Sequence, residues 1–186
     1  MNAIVVLWLP ILLSAGFVFI VSSLIHMVVK WHAPDYGALA NEDLVREVIR
    51  AGNPAPGSYV LPRCQDMKDM GSEAMTKKYA EGPVGYLTLV ANGAPPIGRS
   101  LLQWAVLSVV ISAVAAILAG KYVGLAGGGG RAAFYLVGIV SFLAYGFGSI
   151  QQGIWEGKRW TSVLKYLVDS ALYAGATALT FWWRWP

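Results

Sequence analysis

Residues 100–120, SLLQWAVLSVVISAVAAILAG, contain no Asp, Glu, Lys or Arg. Roughly 20 predominantly apolar residues suffice to cross hydrocarbon as a helix, so this stretch predicts a transmembrane span. Three other stretches read the same way. Met1–Val29 and Ala132–Trp155 lack those four residue types, and Tyr166–Trp183 holds only Asp169 among them. The bilayer offers no water to backbone amides, and barrel strands would be about 10 residues long and alternating, so the four stretches are expected as helices. Composition agrees: 56% hydrophobic and 13% charged residues in a chain of 186 leave more apolar surface than one small soluble core hides.

The expectation is an all-α membrane protein: four transmembrane helices with a small α+β extramembrane insert between the first and second. Helix 1 falls in residues 1–30, the insert in 31–99 and helices 2–4 in 100–186. Secretory signals have a basic start and about 7–15 apolar residues. Met1-Asn2-Ala3 is uncharged and the apolar run continues to Val29, so the first span is expected to be retained. Pro10 removes a backbone donor and predicts either a kink or the true helix start. With four spans, Lys30, Arg46, Arg99, Lys158, Arg159 and Lys165 share one face, against Lys121, Arg131 and Arg184 on the other. The positive-inside rule then expects the insert and the helix 3–4 loop in the cytoplasm. Trp155 and Trp160 flank Lys158-Arg159, and Trp182, Trp183 and Trp185 surround Arg184, the pattern of headgroup-level anchors.

In the insert, Asn41 before Glu42-Asp43 reads as a helix cap, with Leu44, Val45, Val48 and Ile49 along one face and Gly52 as the stop. Ser58–Leu61 and Val84–Val90 read as strands, and Ser72–Ala80 as a helix. So small a sheet is not stable unaided, and it is expected to dock on the membrane, the bundle or another chain. Residues 30–99 hold eight basic and eight acidic side chains, which argues against a nucleic-acid groove.

Within the bundle, Ser100 and Gln103 have capping-box spacing. Ser108, Ser112, Ala116 and Gly120 recur every four residues, as do Ser170, Ala174 and Ala178. Such stripes let helices approach closely, either within the chain or against other subunits. Gly127–Gly130 lacks the Lys and Ser/Thr of a phosphate loop and reads as a hairpin connection.

Candidate chemistry is sparse. Asp169 is the one carboxylate within an expected span, and Tyr173, Thr177 and Thr180 extend a polar stripe from it, with Lys165 and Arg159 as partners at the interface. Intramembrane acids mark pathways or helix-to-helix networks. His26 lies inside the first span and His32 just outside it; on a straight α-helix their rings point about 120° apart and could not grip one metal. Cys64, Met67, Met70 and Met75 are soft donors suited to Cu(I), and Cys-x2-Met-x2-Met would put three sulfurs on one side of a helix; as methionines they also suit ordinary packing. No hydrolase elbow, zinc signature or dinucleotide fingerprint occurs, so neither a cofactor nor an enzymatic role is expected.

His26, Trp31-His32, Pro56-Gly57, Pro62-Arg63-Cys64, Gly82-Pro83 and Asn92-Gly93, set between one span and three more, resemble a group of bacterial inner-membrane proteins of no assigned activity. The resemblance implies a bacterial inner membrane and carries over no site residue. The leading expectation is an accessory or structural subunit that packs against other membrane subunits. A small homo-oligomeric transporter or channel using the Asp169 stripe is the alternative, and copper handling through Cys64 a third.

Overall fold

The computed structural model describes residues 2–125 and 129–186. It is mostly helical and forms two compact units, residues 1–36 with 96–186, and residues 37–95. Segment 31–36, expected in the insert, therefore belongs with the long helices.

The first unit begins with α1 (Ala3–Val6) and α2 (Trp8–Ser23), which breaks at Leu7 and restarts with Pro10 in its first turn. A proline there sacrifices no intrahelical donor, so Pro10 marks the helix start rather than a mid-span kink. The chain then widens into a π-helical turn, Leu24–Val29, closed by Lys30 in the left-handed region (φ 54). After α5 (Ile97–Tyr122) and α6 (Gly130–Trp155), α7 (Trp160–Arg184) completes the bundle. Among the described residues, three helices are long and apolar enough to cross a membrane: Trp8–Val29, α5 and α6. The anticipated capping box is absent, because α5 starts four residues early and the Ser100 hydroxyl donates to the Pro96 carbonyl instead. Of the glycine run, Gly127 and Gly128 lie outside the described residues, while Gly130 opens α6.

Packing consumes the small-residue stripes internally. Ser108, Ser112 and Ala116 are fully buried, as are Ser170, Ala174 and Ala178 within a few per cent. A Cβ on Gly120 would come within 2.6 Å of the Ala3 Cβ, so α1 lies directly on α5 there. Gly146 serves α6 against Ser170 of α7 in the same way. Leu7, Ile11, Ala115, Ala116, Ala119, Val137 and Phe181 make one apolar cluster, and Val18, Ile25 and Tyr173 a second. Ser14 bonds Ser112 at 3.0 Å and the Trp104 indole donates to Ser22 at 2.9 Å, tying α2 to α5. Outward faces are apolar, with Leu102, Val106, Val110 and Val114 exposed on α5, as lipid-facing surfaces require.

The second unit holds α3 (Glu42–Ala51), β1 (Gly57–Leu61), α4 (Glu73–Glu81) and β2 (Gly85–Leu89). The strands pair antiparallel with Tyr59 opposite Leu87. Ser72 caps α4 by accepting from the Met75 amide, whereas the Asn41 side chain makes no cap bond to α3. Asn41 occupies the expected position without performing the expected function.

Candidate functional site

Residues 24–36 build the site from the α2 side. An α-helix would turn His26 and His32 apart, but the wider π turn followed by left-handed Lys30 folds the chain back on itself. The two rings stack, 5.3 Å between centroids and 12° from parallel. The divergence expected from a straight helix is thereby overturned. His32 also stacks on Tyr166 of α7 at 4.5 Å. A single 3-10 turn, Ala33–Asp35, with Pro34 fixing its backbone, returns Asp35 beneath the imidazole.

A chain of contacts that alternates basic and acidic side chains results. Lys165 Nζ donates to Asp35 Oδ1 at 2.6 Å and to the Trp31 carbonyl at 2.7 Å. Asp35 Oδ2 accepts from His32 Nδ1 at 2.8 Å, and His32 Nε2 lies 2.7 Å from Asp169 Oδ2. Lys165 above all holds the Asp35 carboxyl well below its usual range, at about 2, with further hydrogen bonds from His32 and Ser162. Asp35 is thus ionised and the hydrogen in its contact with His32 sits on Nδ1. One more hydrogen must occupy the contact between Nε2 and Asp169, since two lone pairs do not approach to 2.7 Å. Lys165 therefore pairs with Asp35, not with Asp169 as the helix spacing suggested, and Asp169 finds its partner in His32, 137 residues away in sequence.

Asp169 is only 1% exposed, and its Oδ1 has no hydrogen-bond partner among the described residues. One turn further along α7, buried Tyr173 meets Tyr145 of α6 and Trp104 of α5 edge-on; the buried Tyr145 hydroxyl and Ser141 Oγ also lack partners. Thr177 and Thr180 are buried on the same face, but each hydroxyl is spent on its own helix's carbonyl four residues back. Of the expected stripe, Asp169 keeps an unpartnered polar atom, while Thr177 and Thr180 spend theirs within α7.

His26, at the edge of the site, is exposed, and its Nδ1 lies 2.9 Å from the Ser22 carbonyl. A carbonyl only accepts, so Nδ1 carries the hydrogen of this contact, and Nε2 is the ring nitrogen that remains for another partner. One ligand atom from each of His26, His32 and Asp169 lies within 4.8 Å of the other two.

Met67 belongs to an isolated 3-10 turn of three residues and Cys64 lies outside it, so the single helix that was to align the three sulfurs does not form. The Cys64 thiol contacts the Asp66 carbonyl, and the Met67 and Met70 side chains are exposed.

No family model matches the chain, and neither does any curated protein or any solved structure. Helix-packing residues, found by their spacing, serve the interior; Asp35 and the π turn, which shape the site, had no sequence signal beyond the proximity of Asp35 to His32.

Proposed function

We propose that this chain is a four-span protein of a bacterial inner membrane that binds and passes a small cation, with Asp169 as the binding acid. The observation that carries the proposal is Asp169 itself: fully buried on the inner face of α7, with one carboxylate oxygen held by His32 and the other unpartnered. A buried acid at membrane depth is expensive unless it has work to do. Support for α7 as the fourth span comes from its two faces. Its 25 residues reach about 37 Å at the helical rise, and Leu164, Val168, Leu172 and Leu179 face outward while Asp169, Tyr173 and Thr177 face inward. The buried polar side chains lower the helix's average hydropathy while the outward face between Leu164 and Leu179 stays apolar. The six-to-three distribution of basic residues supports a cytoplasmic insert.

Cation flux into proteoliposomes, measured across a panel of H+, Na+ and Zn2+, tests the proposal. Wild-type protein is expected to pass at least one of them, and Asp169→Asn to abolish that flux; equal flux with and without the carboxylate rejects it.

A second reading, as an accessory subunit, draws on the insert. Leu44 and Val48 of α3 are exposed, and Met75 is the one buried apolar side chain among the described residues of that unit, so it lacks a core of its own. Native mass spectrometry of gently solubilised complexes separates the two: a defined homo-oligomer favours transport, and stoichiometric foreign subunits favour the accessory role.

A further inference from the structure

We infer that His26, His32 and Asp169 form a site for one divalent transition-metal cation of the zinc class. The inference rests on the cation-handling reading above and names the cation it serves. Both histidines are already arranged as metal ligands are. Metal-bound imidazoles donate their second N–H to a carbonyl or carboxylate, which fixes the tautomer and orients the ring. Here His26 Nδ1 donates to the Ser22 carbonyl and His32 Nδ1 to the Asp35 carboxylate, leaving both Nε2 atoms for the cation. Asp35 is itself fixed by Lys165, so the outer shell is complete on that side.

Asp169 supplies the anionic ligand. Its unpartnered Oδ1 is the independent sign of a missing neighbour, because a buried carboxylate oxygen without a hydrogen bond is costly. The backbone points the same way. A π turn and a left-handed lysine are adopted back to back, and departures of this kind cluster at functional sites. Their effect is to bring His26 against His32.

Two imidazoles and one carboxylate suit zinc, cobalt or ferrous iron, and not the all-oxygen preference of magnesium or calcium. Zinc bonds of about 2.0–2.2 Å place ligand atoms roughly 3.3 Å apart in a tetrahedron. The ligand atoms now lie within 4.8 Å of one another with the two rings 12° from parallel, so binding requires the His32–Asp169 contact to open from 2.7 Å and exposed His26 to tilt its ring toward His32. Binding displaces the one hydrogen in the His32–Asp169 contact to solvent. Three protein ligands leave a coordination position open, as in sites that exchange a ligand rather than structural sites that are closed.

The test is titration of the full-length protein in detergent, after chelator treatment, with Zn2+ by calorimetry and with Co2+ by visible absorption. Wild type and Cys64→Ser are expected to bind one equivalent. Asp169→Asn and His26→Gln are expected to weaken binding at least roughly tenfold; His26 is exposed, so that variant tests the site without disturbing the fold. Absence of stoichiometric binding, wild-type affinity in His26→Gln, or a thiolate–cobalt band lost in Cys64→Ser would each overturn the assignment. Binding is read without flux, so a protein that binds zinc and transports nothing refutes transport alone, and one that passes another cation without binding zinc refutes the metal site alone.

Discussion

Replacing His32 with alanine strands Asp169. The carboxylate is 1% exposed and His32 is its hydrogen-bond partner, at 2.7 Å. With the shared hydrogen on Nε2 the two form a buried ion pair, and removing one member of such a pair costs about 3–5 kcal/mol, because the remaining group keeps its desolvation and loses its compensation. Asp169→Asn is milder: the amide is isosteric and its N–H can donate to Nε2 once that atom carries a lone pair, so about 1 kcal/mol is expected, the net worth of a neutral hydrogen bond. The double variant leaves a neutral amide where the single variant leaves a charge. An unsatisfied neutral group costs about 1–3 kcal/mol, so adding Asp169→Asn to His32→Ala is expected to recover about 2 kcal/mol instead of losing one more. For a chain of this length each kcal/mol moves the midpoint by about 2–4 °C. His32→Ala should therefore unfold about 6–20 °C below wild type, and the double variant above the single. Thermal unfolding in one detergent, followed by gel filtration and tryptophan fluorescence, measures all four corners of the cycle. Additive losses, or a His32→Ala variant within about 2 °C of wild type, would refute the buried pair.

Acid should act through Asp35. Its carboxyl titrates at about 2 instead of the usual 3.8, so its contribution to stability is full above about pH 4 and lost as pH falls through about 2. Melting midpoints in that window are expected to drop in wild type and to lose this step in Lys165→Met. At Gly146, where a Cβ would meet Ser170 at 3.0–3.1 Å, valine should cost about 1–3 kcal/mol by overpacking. Gly16→Ala, in open space within α2, should be neutral or stabilising by up to about 1 kcal/mol; thermal scans of both variants check the contrast. Ser14→Ala removes the buried bond to Ser112 and should lose roughly 0.6 kcal/mol, the usual value between membrane helices; a loss above about 2 kcal/mol would show that the bond does more than join α2 to α5.

Helices α5 and α6 were legible because length without charge has one solution in a bilayer. The inward stripe of α7 was legible too, since Asp169, Tyr173 and Thr177 recur at helical spacing and all proved buried. The small-residue stripes signalled close packing but not the partner, and that partner is the chain itself. Four-residue spacing carries no information about which helix lies opposite. The joining of His26 to His32 was illegible because it depends on a π turn and a left-handed non-glycine residue, neither of which has a compositional signature. Lys165 looked like the natural partner of Asp169 at one helical turn, yet Asp35 takes it, because the re-entering 3-10 turn brings an acid closer to the lysine than its own helix does.

At one buried centre His32 bridges two acids and His26 stacks against it. Nitrogen-15 NMR of histidine-labelled protein in bilayers reads this directly, since the chain has only two histidines. The predicted spectrum has one ring hydrogen-bonded through Nδ1 and one hydrogen-bonded at both nitrogens, the second changing in Asp169→Asn. Two rings with ordinary solvent-exposed signals, indifferent to Asp169→Asn, would contradict it.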